Sequence, residues 1–234
     1  MAIPVERRLR SFAYLRDFYT GSRHWMSVVS LGAPSSIPRD EGLDEVQVKQ
    51  WFYFGLSLAT LLPQPAGAPF LRAVLQTIDE IQYHFASSTE RSIKSMRARP
   101  QPGATGDFVS NVVPVLQRIN GKVLYEYLLT PPTAHALSGA QVILGLCELL
   151  NKVYRKLAEC ATMDSTTPAI LEALGRVDEK LEELFLAPAS KHAEGVAKGA
   201  LRQSLAKLDP LVGRLWGQSG NTPGAEDQQV AAEL

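Results

Sequence analysis

Residues 136–161, ALSGAQVILGLCELLNKVYRKLAECA, carry the pattern that decides the fold of this chain. Apolar residues recur there alternately four and three positions apart, at Ala136, Ala140, Ile143, Cys147, Leu150, Tyr154, Leu157 and Ala161. Only an α-helix returns such positions to one side, and an apolar stripe on a helix needs a neighbour that covers it. The segment therefore predicts a long helix packed inside an all-α fold.

The same periodicity predicts helices on both sides of this segment. The expected helices cover residues 4–19, 44–62, 70–99, 107–129, 165–186 and 190–216, with connectors rich in proline and glycine. Pro188 is expected to end the helix 165–186, so that this helix and the next form an antiparallel αα-hairpin. Together these elements predict an irregular antiparallel bundle of six to seven helices.

The predicted organisation of the chain has three parts. Residues 1–42 supply an N-terminal amphipathic helix and an irregular linker, and residues 43–216 form the helical bundle. Residues 217–234 are polar and glycine-rich, which predicts a disordered tail. The loop 100–106 is the expected place of any subdomain break.

Charge and cysteine content narrow the functional classes. Lys plus Arg and Asp plus Glu both number 24, so the formal net charge is zero. Because a protein that binds nucleic acid mainly through its phosphates is normally basic, we expect no nucleic-acid partner. Cys147 and Cys160 lie about 20 Å apart along one predicted helix, too far for a disulfide. Reduced thiols favour a cytoplasmic location, with the mitochondrial matrix as the alternative.

The N-terminal helix leaves three interpretations open. Leu9 and Phe12 lie on its apolar face, whereas Arg8 and Arg16 lie on its polar faces. Such a helix packs across the bundle, lies on a membrane surface, or directs the chain to mitochondria. The acidic Glu6 is unusual in a targeting segment. The longest apolar run, residues 51–62, is shorter than the roughly twenty residues that span a bilayer.

Residue clusters that carry chemistry are few in this sequence. Glu80 and His84 stand one helical turn apart and could share a metal ion, but no third ligand is near in sequence. The acidic residues of 178–183 lie opposite an apolar stripe, where a solvated face belongs. No Cys-x-x-Cys, Gly-x-Ser-x-Gly or His-Glu-x-x-His motif occurs. We therefore expect no catalytic residues, no metal site and no cofactor.

The leading hypothesis is a non-enzymatic interaction module, an adaptor or complex subunit that presents a helical face or groove to another protein. The candidate partner-binding residues are Leu174, Leu181, Leu201, Leu208, Arg91 and Lys94. One alternative is a peripheral membrane protein that uses the N-terminal helix, through Leu9, Phe12 and Arg16. The other is a helical enzyme or small-ligand carrier whose pocket would contain Tyr53, Tyr83, His84, Asn120 and Tyr125.

Three threonines precede proline, the dipeptide that proline-directed kinases modify. They are Thr130, Thr167 and Thr222. Two lie in predicted connectors and one in the predicted tail, where a kinase could reach them. Three such dipeptides are also expected by chance in a chain with 15 prolines.

Overall fold

A computed structural model describes residues 5–22, 24–25, 42–87, 89–91, 117–119, 122–163 and 168–208. Its helices are α1 (Val5–Thr20), α2 (Glu45–Leu61), α3 (Ala68–His84), α4 (Gly139–Met163), α5 (Pro168–Leu181) and α6 (Ala187–Leu208). A π-helical segment, Glu182–Leu186, joins α5 to α6, and two short strands, β1 (Gln117–Ile119) and β2 (Lys122–Leu124), pair with each other. The prediction of an all-α bundle is confirmed. The predicted tail 217–234 and the loop 100–106 lie outside the described residues.

One hydrophobic core joins side chains from all six helices. The long helix α4 lies in the middle and contacts α1, α2, α3 and α5. Its apolar stripe is fully buried at Ile143, Leu150 and Leu157, as its periodicity predicts. The ring of Phe12 on α1 packs 5.3 Å from the ring of Tyr154 on α4. The N-terminal helix is therefore part of the same core as the rest of the bundle.

The chain continues as a helix through Pro188, so the prediction of an αα-hairpin with a break at this residue is wrong. Pro188 has no backbone N–H and its ring crowds the carbonyl four residues earlier, which normally kinks or ends a helix. Here the turn before it widens, and the Ala187 N–H bonds to the Glu182 carbonyl five residues back. A π-helical turn of this kind absorbs the proline inside a continuous helix.

A tryptophan from another helix completes this turn. The carbonyl of Leu184 stands four residues before Pro188, so its usual helical donor is the missing proline N–H. The buried Trp51 Nε1 on α2 donates to this oxygen at 2.8 Å. The Trp51 ring also packs edge-on against Phe185 at 5.4 Å. A contact between distant parts of the chain thus supplies the hydrogen bond that the local sequence removes.

The predicted helix 107–129 is wrong in its described part. Residues 117–119 and 122–124 form an antiparallel pair, with Arg118 opposite Val123, and residues 125–138 have no regular secondary structure. The sequence signal was Asn120-Gly121 between short β-branched stretches, which is typical of a two-residue hairpin loop.

Helix α3 ends at His84 and does not continue toward residue 99 as predicted. Ser87 and Glu90 form a capping box, in which the Ser87 N–H donates to Glu90 Oε2 at 2.9 Å and the Glu90 N–H donates to Ser87 Oγ at 3.3 Å. This arrangement marks the start of a new helix. Residues 92–99 lie outside the described part of the chain.

We predict that the cost of replacing Trp51 depends on Pro188. Trp51→Phe should lower the free energy of unfolding by about 1–3 kcal/mol through the unsatisfied Leu184 carbonyl, in addition to the smaller ring. In a Pro188→Ala background the new N–H can bond to this carbonyl, so Trp51→Phe should cost less. Urea denaturation of the wild type, the two single variants and the double variant measures the coupling energy between Trp51 and Pro188. An equal cost of Trp51→Phe in both backgrounds would contradict the assignment.

Candidate functional site

An open apolar groove of about 480 Å³ runs between α2 and α4. On α2 its walls are Trp51, Phe52, Gly55, Leu56 and Ala59. On α4 they are Gln141, Val142, Gly145, Leu146 and Leu149, and residues 136–138 close one end. No lining side chain carries a charge. A groove of this composition suits an apolar occupant.

Two glycines shape the groove. A Cβ atom added at Gly55 would lie 3.5 Å from Leu146 Cδ1, in ordinary van der Waals contact, so Gly55 faces the α4 wall. At Gly145 an added Cβ would meet nothing within 4 Å, because this position faces open space. The sequence signal for this surface was the second apolar face of α4, at Val142 and Leu149, which is separate from the stripe that enters the core.

The two groove helices run in the same direction. Gly55 lies beside Leu146, and farther along both helices Lys156 Nζ donates to the carbonyl of Leu62 at 2.6 Å and to that of Gln64. From residue 51 to residue 59 the α2 wall measures about 12 Å, and from residue 138 to residue 149 the α4 wall measures about 16 Å. The groove is therefore long enough for two to three turns of a docked helix.

A partly buried ion-pair network connects α1 to α5 and the π-helical segment. Arg8 is 6% exposed and binds both oxygens of Asp178 at 2.7 Å, and its Nη2 also binds Glu182 Oε2 at 2.5 Å. The Tyr154 hydroxyl donates to Asp178 Oδ1 at 2.8 Å. The assignment of Arg8 to a polar face and of Asp178 to a solvated face is thus corrected. Arg8 is buried and Asp178 is half-buried, and each satisfies the charge of the other.

The network shifts the proton affinities of its members. Burial alone would raise the pKa of Asp178, but the hydrogen bonds from Arg8 and Tyr154 outweigh it and hold this pKa below its ordinary value. The hydrogen bond to Asp178 raises the pKa of Arg8 further above its already high value. Burial is the main cause of the raised pKa of Tyr154. The ion pair therefore stays charged at neutral pH and joins helices rather than transferring protons.

Glu80 anchors a loop through its buried carboxylate. The Glu80 carboxylate is fully buried and accepts the backbone N–H groups of Glu126, Tyr127 and Leu128 at 2.8–3.0 Å. Gln76 Nε2 donates to it at 2.8 Å. In the described part of the chain no three His, Cys, Asp or Glu side chains come together as a metal site requires. The helical prediction for residues 126–128 fails here because Glu80 takes their N–H groups.

Four of the five residues predicted to line an internal pocket lie in an aromatic cluster at the end of α3. His84 Nδ1 lies 3.2 Å from the Tyr125 hydroxyl, and the Tyr53 ring packs 6.2 Å from that of Phe85. Burial lowers the pKa of His84, and the nearby Arg91 guanidinium lowers it further. Tyr83 lies under Arg91, and Asn120 falls outside the described residues. These contacts tie the loop after β2 to α3.

The candidate partner-binding residues separate into three groups. Leu174 and Leu181 are 0% and 1% exposed, so their stripe faces the chain's own core and not a partner. No groove lies between the described parts of helices 165–186 and 190–216, because residues 168–208 form one continuous helical segment. Leu201 is 38% exposed near the end of α6, and Arg91 is also exposed. The Leu208 side chain and Lys94 lie outside the described part.

The N-terminal helix packs across the bundle. Phe12 is 2% exposed, Leu9 is half-buried against the core, and Arg16 bonds to the neighbouring Asp17 at 2.8 Å. These contacts favour the packing interpretation of the helix over one in which its apolar face lies on a membrane. Within the described ranges no helix combines the length and apolarity needed to cross a bilayer.

Comparison of the chain with protein-family models, with curated proteins and with solved structures finds no match. The geometry of the described residues therefore has to support the functional argument by itself. The α2/α4 groove is the surface that best fits a binding role, because the Arg8, Glu80 and Tyr53–Phe85 contacts are all directed within the chain.

We predict that Arg8→Met destabilises the protein far more than Arg7→Met. Removing Arg8 leaves the half-buried Asp178 carboxylate without its cation and should cost about 1.5–3 kcal/mol of unfolding free energy at neutral pH. Arg7 is an exposed neighbour on the same helix, and Arg7→Met serves as the matched control. Equal effects of the two substitutions on urea denaturation would show that the ion pair does not hold α1.

The contribution of this pair should also depend on pH in one direction. Because the pKa of Asp178 is lower in the folded than in the unfolded chain, its stabilisation is present above the ordinary carboxyl pKa of about 3.9. It is lost as pH falls through the lower folded value. The stability difference between the wild type and Arg8→Met should therefore narrow below about pH 4. A constant difference from pH 7 to pH 3 would contradict this expectation.

Proposed function

We propose that this protein is a non-enzymatic α-helical interaction module, an adaptor or a subunit of a complex, that binds another protein in the α2/α4 groove. The observation that supports the proposal is an open, wholly uncharged groove on the outer side of two packed helices. Binding sites are typically concave and lined mostly by apolar side chains with a few polar groups. The buried free thiols Cys147 and Cys160 suit a reducing compartment, for which we propose the cytoplasm or, alternatively, the mitochondrial matrix.

The proposed partner element is one amphipathic helix. Such helices dock by apolar side chains spaced three, four and seven residues apart, which span about 10 Å. This span fits between the loop at residues 136–138 and the far end of the groove at Ala59 and Leu149. Gly145 leaves space where an anchor side chain can enter, and Phe52 and Leu56 provide the opposite wall.

The uncharged lining predicts how the complex responds to salt. Apolar burial is not screened by ions, whereas attraction between exposed charges weakens within a Debye length of about 8 Å at physiological ionic strength. A partner helix held in this groove should therefore remain bound when the salt concentration is raised. Binding through the exposed Arg91 would instead weaken.

A small apolar ligand is the second candidate occupant. The groove volume of about 480 Å³ lies within the range of small-molecule sites. Ser138 and Gln141 are the polar side chains that could orient such a ligand. The open shape of the groove favours a helix, because a small molecule would keep much of its surface in water.

A pair of glycine substitutions tests the proposal. Gly145 and Gly175 both lie within helices at exposed positions where an added Cβ meets nothing within 4 Å. Gly145→Arg should place a bulky charge in the groove, whereas Gly175→Arg places the same side chain on α5, outside the groove. Both changes replace a helix-interior glycine, which should stabilise the helix by up to about 1 kcal/mol. The fold should thus survive in both variants.

The measurement is affinity purification of the tagged full-length chain from its own cells at two salt concentrations, followed by titration of the recovered partner. We expect the wild type and Gly175→Arg to retain the partner at high salt, and Gly145→Arg to weaken binding about tenfold or more, equivalent to 1.4 kcal/mol. Equal retention by Gly145→Arg would exclude the groove. Recovery of the chain alone, with a small molecule seen by native mass spectrometry, would favour the second candidate.

A further inference from the structure

Residues 126–129 are held firmly, and the residue after them is presented to solvent. The backbone N–H groups of residues 126–128 bond to Glu80, and the Leu129 N–H donates to Ser57 Oγ at 2.9 Å. Thr130 follows at once and its side chain is exposed. The hydrogen bonds of residues 126–129 fix the position of the backbone there. Thr130 therefore has a defined place on the protein surface.

The chain at Thr130 is irregular and neither helical nor paired in a sheet. Pro131 disfavours the α-helical conformation of the residue before it and directs that residue to extended backbone. Pro131 and Pro132 have no backbone N–H groups, so neither residue has a backbone donor that must be paired within the protein. The segment can therefore be gripped by an enzyme without breaking secondary structure.

The Thr130 side chain is exposed, so its hydroxyl is accessible from solvent. A kinase needs such a hydroxyl, because its catalytic aspartate must accept the hydroxyl proton. Thr133 is a built-in comparison, since it is half-buried and is followed by Ala134. Thr167 and Thr222, the other threonines that precede proline, lie outside the described part of the chain.

We propose that Thr130 is a phosphorylation site for a proline-directed protein kinase that uses ATP. In the transfer, a bond forms between Thr130 Oγ1 and the γ-phosphorus of ATP while the bond from that phosphorus to the β,γ-bridging oxygen breaks. ADP leaves with the electron pair, and the threonine proton passes to the aspartate of the kinase. The product carries a charge of about −1.5 to −2 at pH 7. This inference does not depend on the proposed role of the groove.

The test is incubation of the purified full-length chain with ATP and an active cyclin-dependent or mitogen-activated protein kinase, followed by mass spectrometry that locates each phosphate. We expect one phosphate at Thr130 and none at Thr133. Thr130→Ala should abolish this phosphate, and Pro131→Ala should remove most of it while leaving the hydroxyl in place. Circular dichroism of both variants checks that they keep the helical fold.

Each alternative result overturns the proposal. Modification of Thr167 or Thr222 without Thr130 would show that the folded surface around residue 130 excludes the kinase. Undiminished phosphate at Thr130 in Pro131→Ala would show that proline does not direct the reaction. No incorporation at any site with either kinase, under conditions in which both modify a standard substrate, would also reject the assignment.

Discussion

The hydrogen bond from the Trp51 indole to the Leu184 carbonyl is the interaction on which the arrangement of helices depends. It satisfies the carbonyl that loses its helical donor at Pro188, and together with the π-helical turn it allows α5 to pass into α6 without a break. Phe185 in the same turn lies 5.4 Å from Trp51 and 6.5 Å from Phe12. One turn therefore joins α1, α2 and the long helical segment 168–208.

Helices α1 and α3 also bind to the long segment 168–208. Helix α1 binds it at two places, through the Arg8–Asp178 ion pair and through Tyr19, whose hydroxyl lies 2.5 Å from His192 Nδ1. Helix α3 binds it through an ion pair between Asp79 and Lys180. Because these two contacts of α1 lie on opposite sides of Pro188, a helix broken at the proline could not hold them in register. The position of the N-terminal helix thus follows from the unbroken segment.

The burial of Trp51 in the core explains why α2 has a second apolar face on its outer side. Trp51, Phe54 and Leu58 enter the core, which directs Phe52 and Leu56 toward the outer side of the helix. Helix α4 lies beside α2 and contributes its second apolar face to the same surface. One apolar face of each helix is buried in the core, and the second apolar faces of α2 and α4 line the groove. A helix with two apolar faces needs two neighbours, and in the described chain only one of the faces is fully covered.

The sequence by itself determined the fold class, the central position of α4 and most helix starts, because helical periodicity and capping are local properties that a short stretch specifies. Four features were decided only by tertiary structure: the passage through Pro188, the burial of Arg8 with Asp178, the Glu80-anchored loop and the α2/α4 groove. In the first three, one partner lies far along the chain and supplies a hydrogen bond or charge that reverses the local preference. The pairing of β1 with β2, by contrast, had a local signal in the Asn120-Gly121 dipeptide. The groove depends on which apolar face each helix buries, and only the packing of all the helices settles that choice.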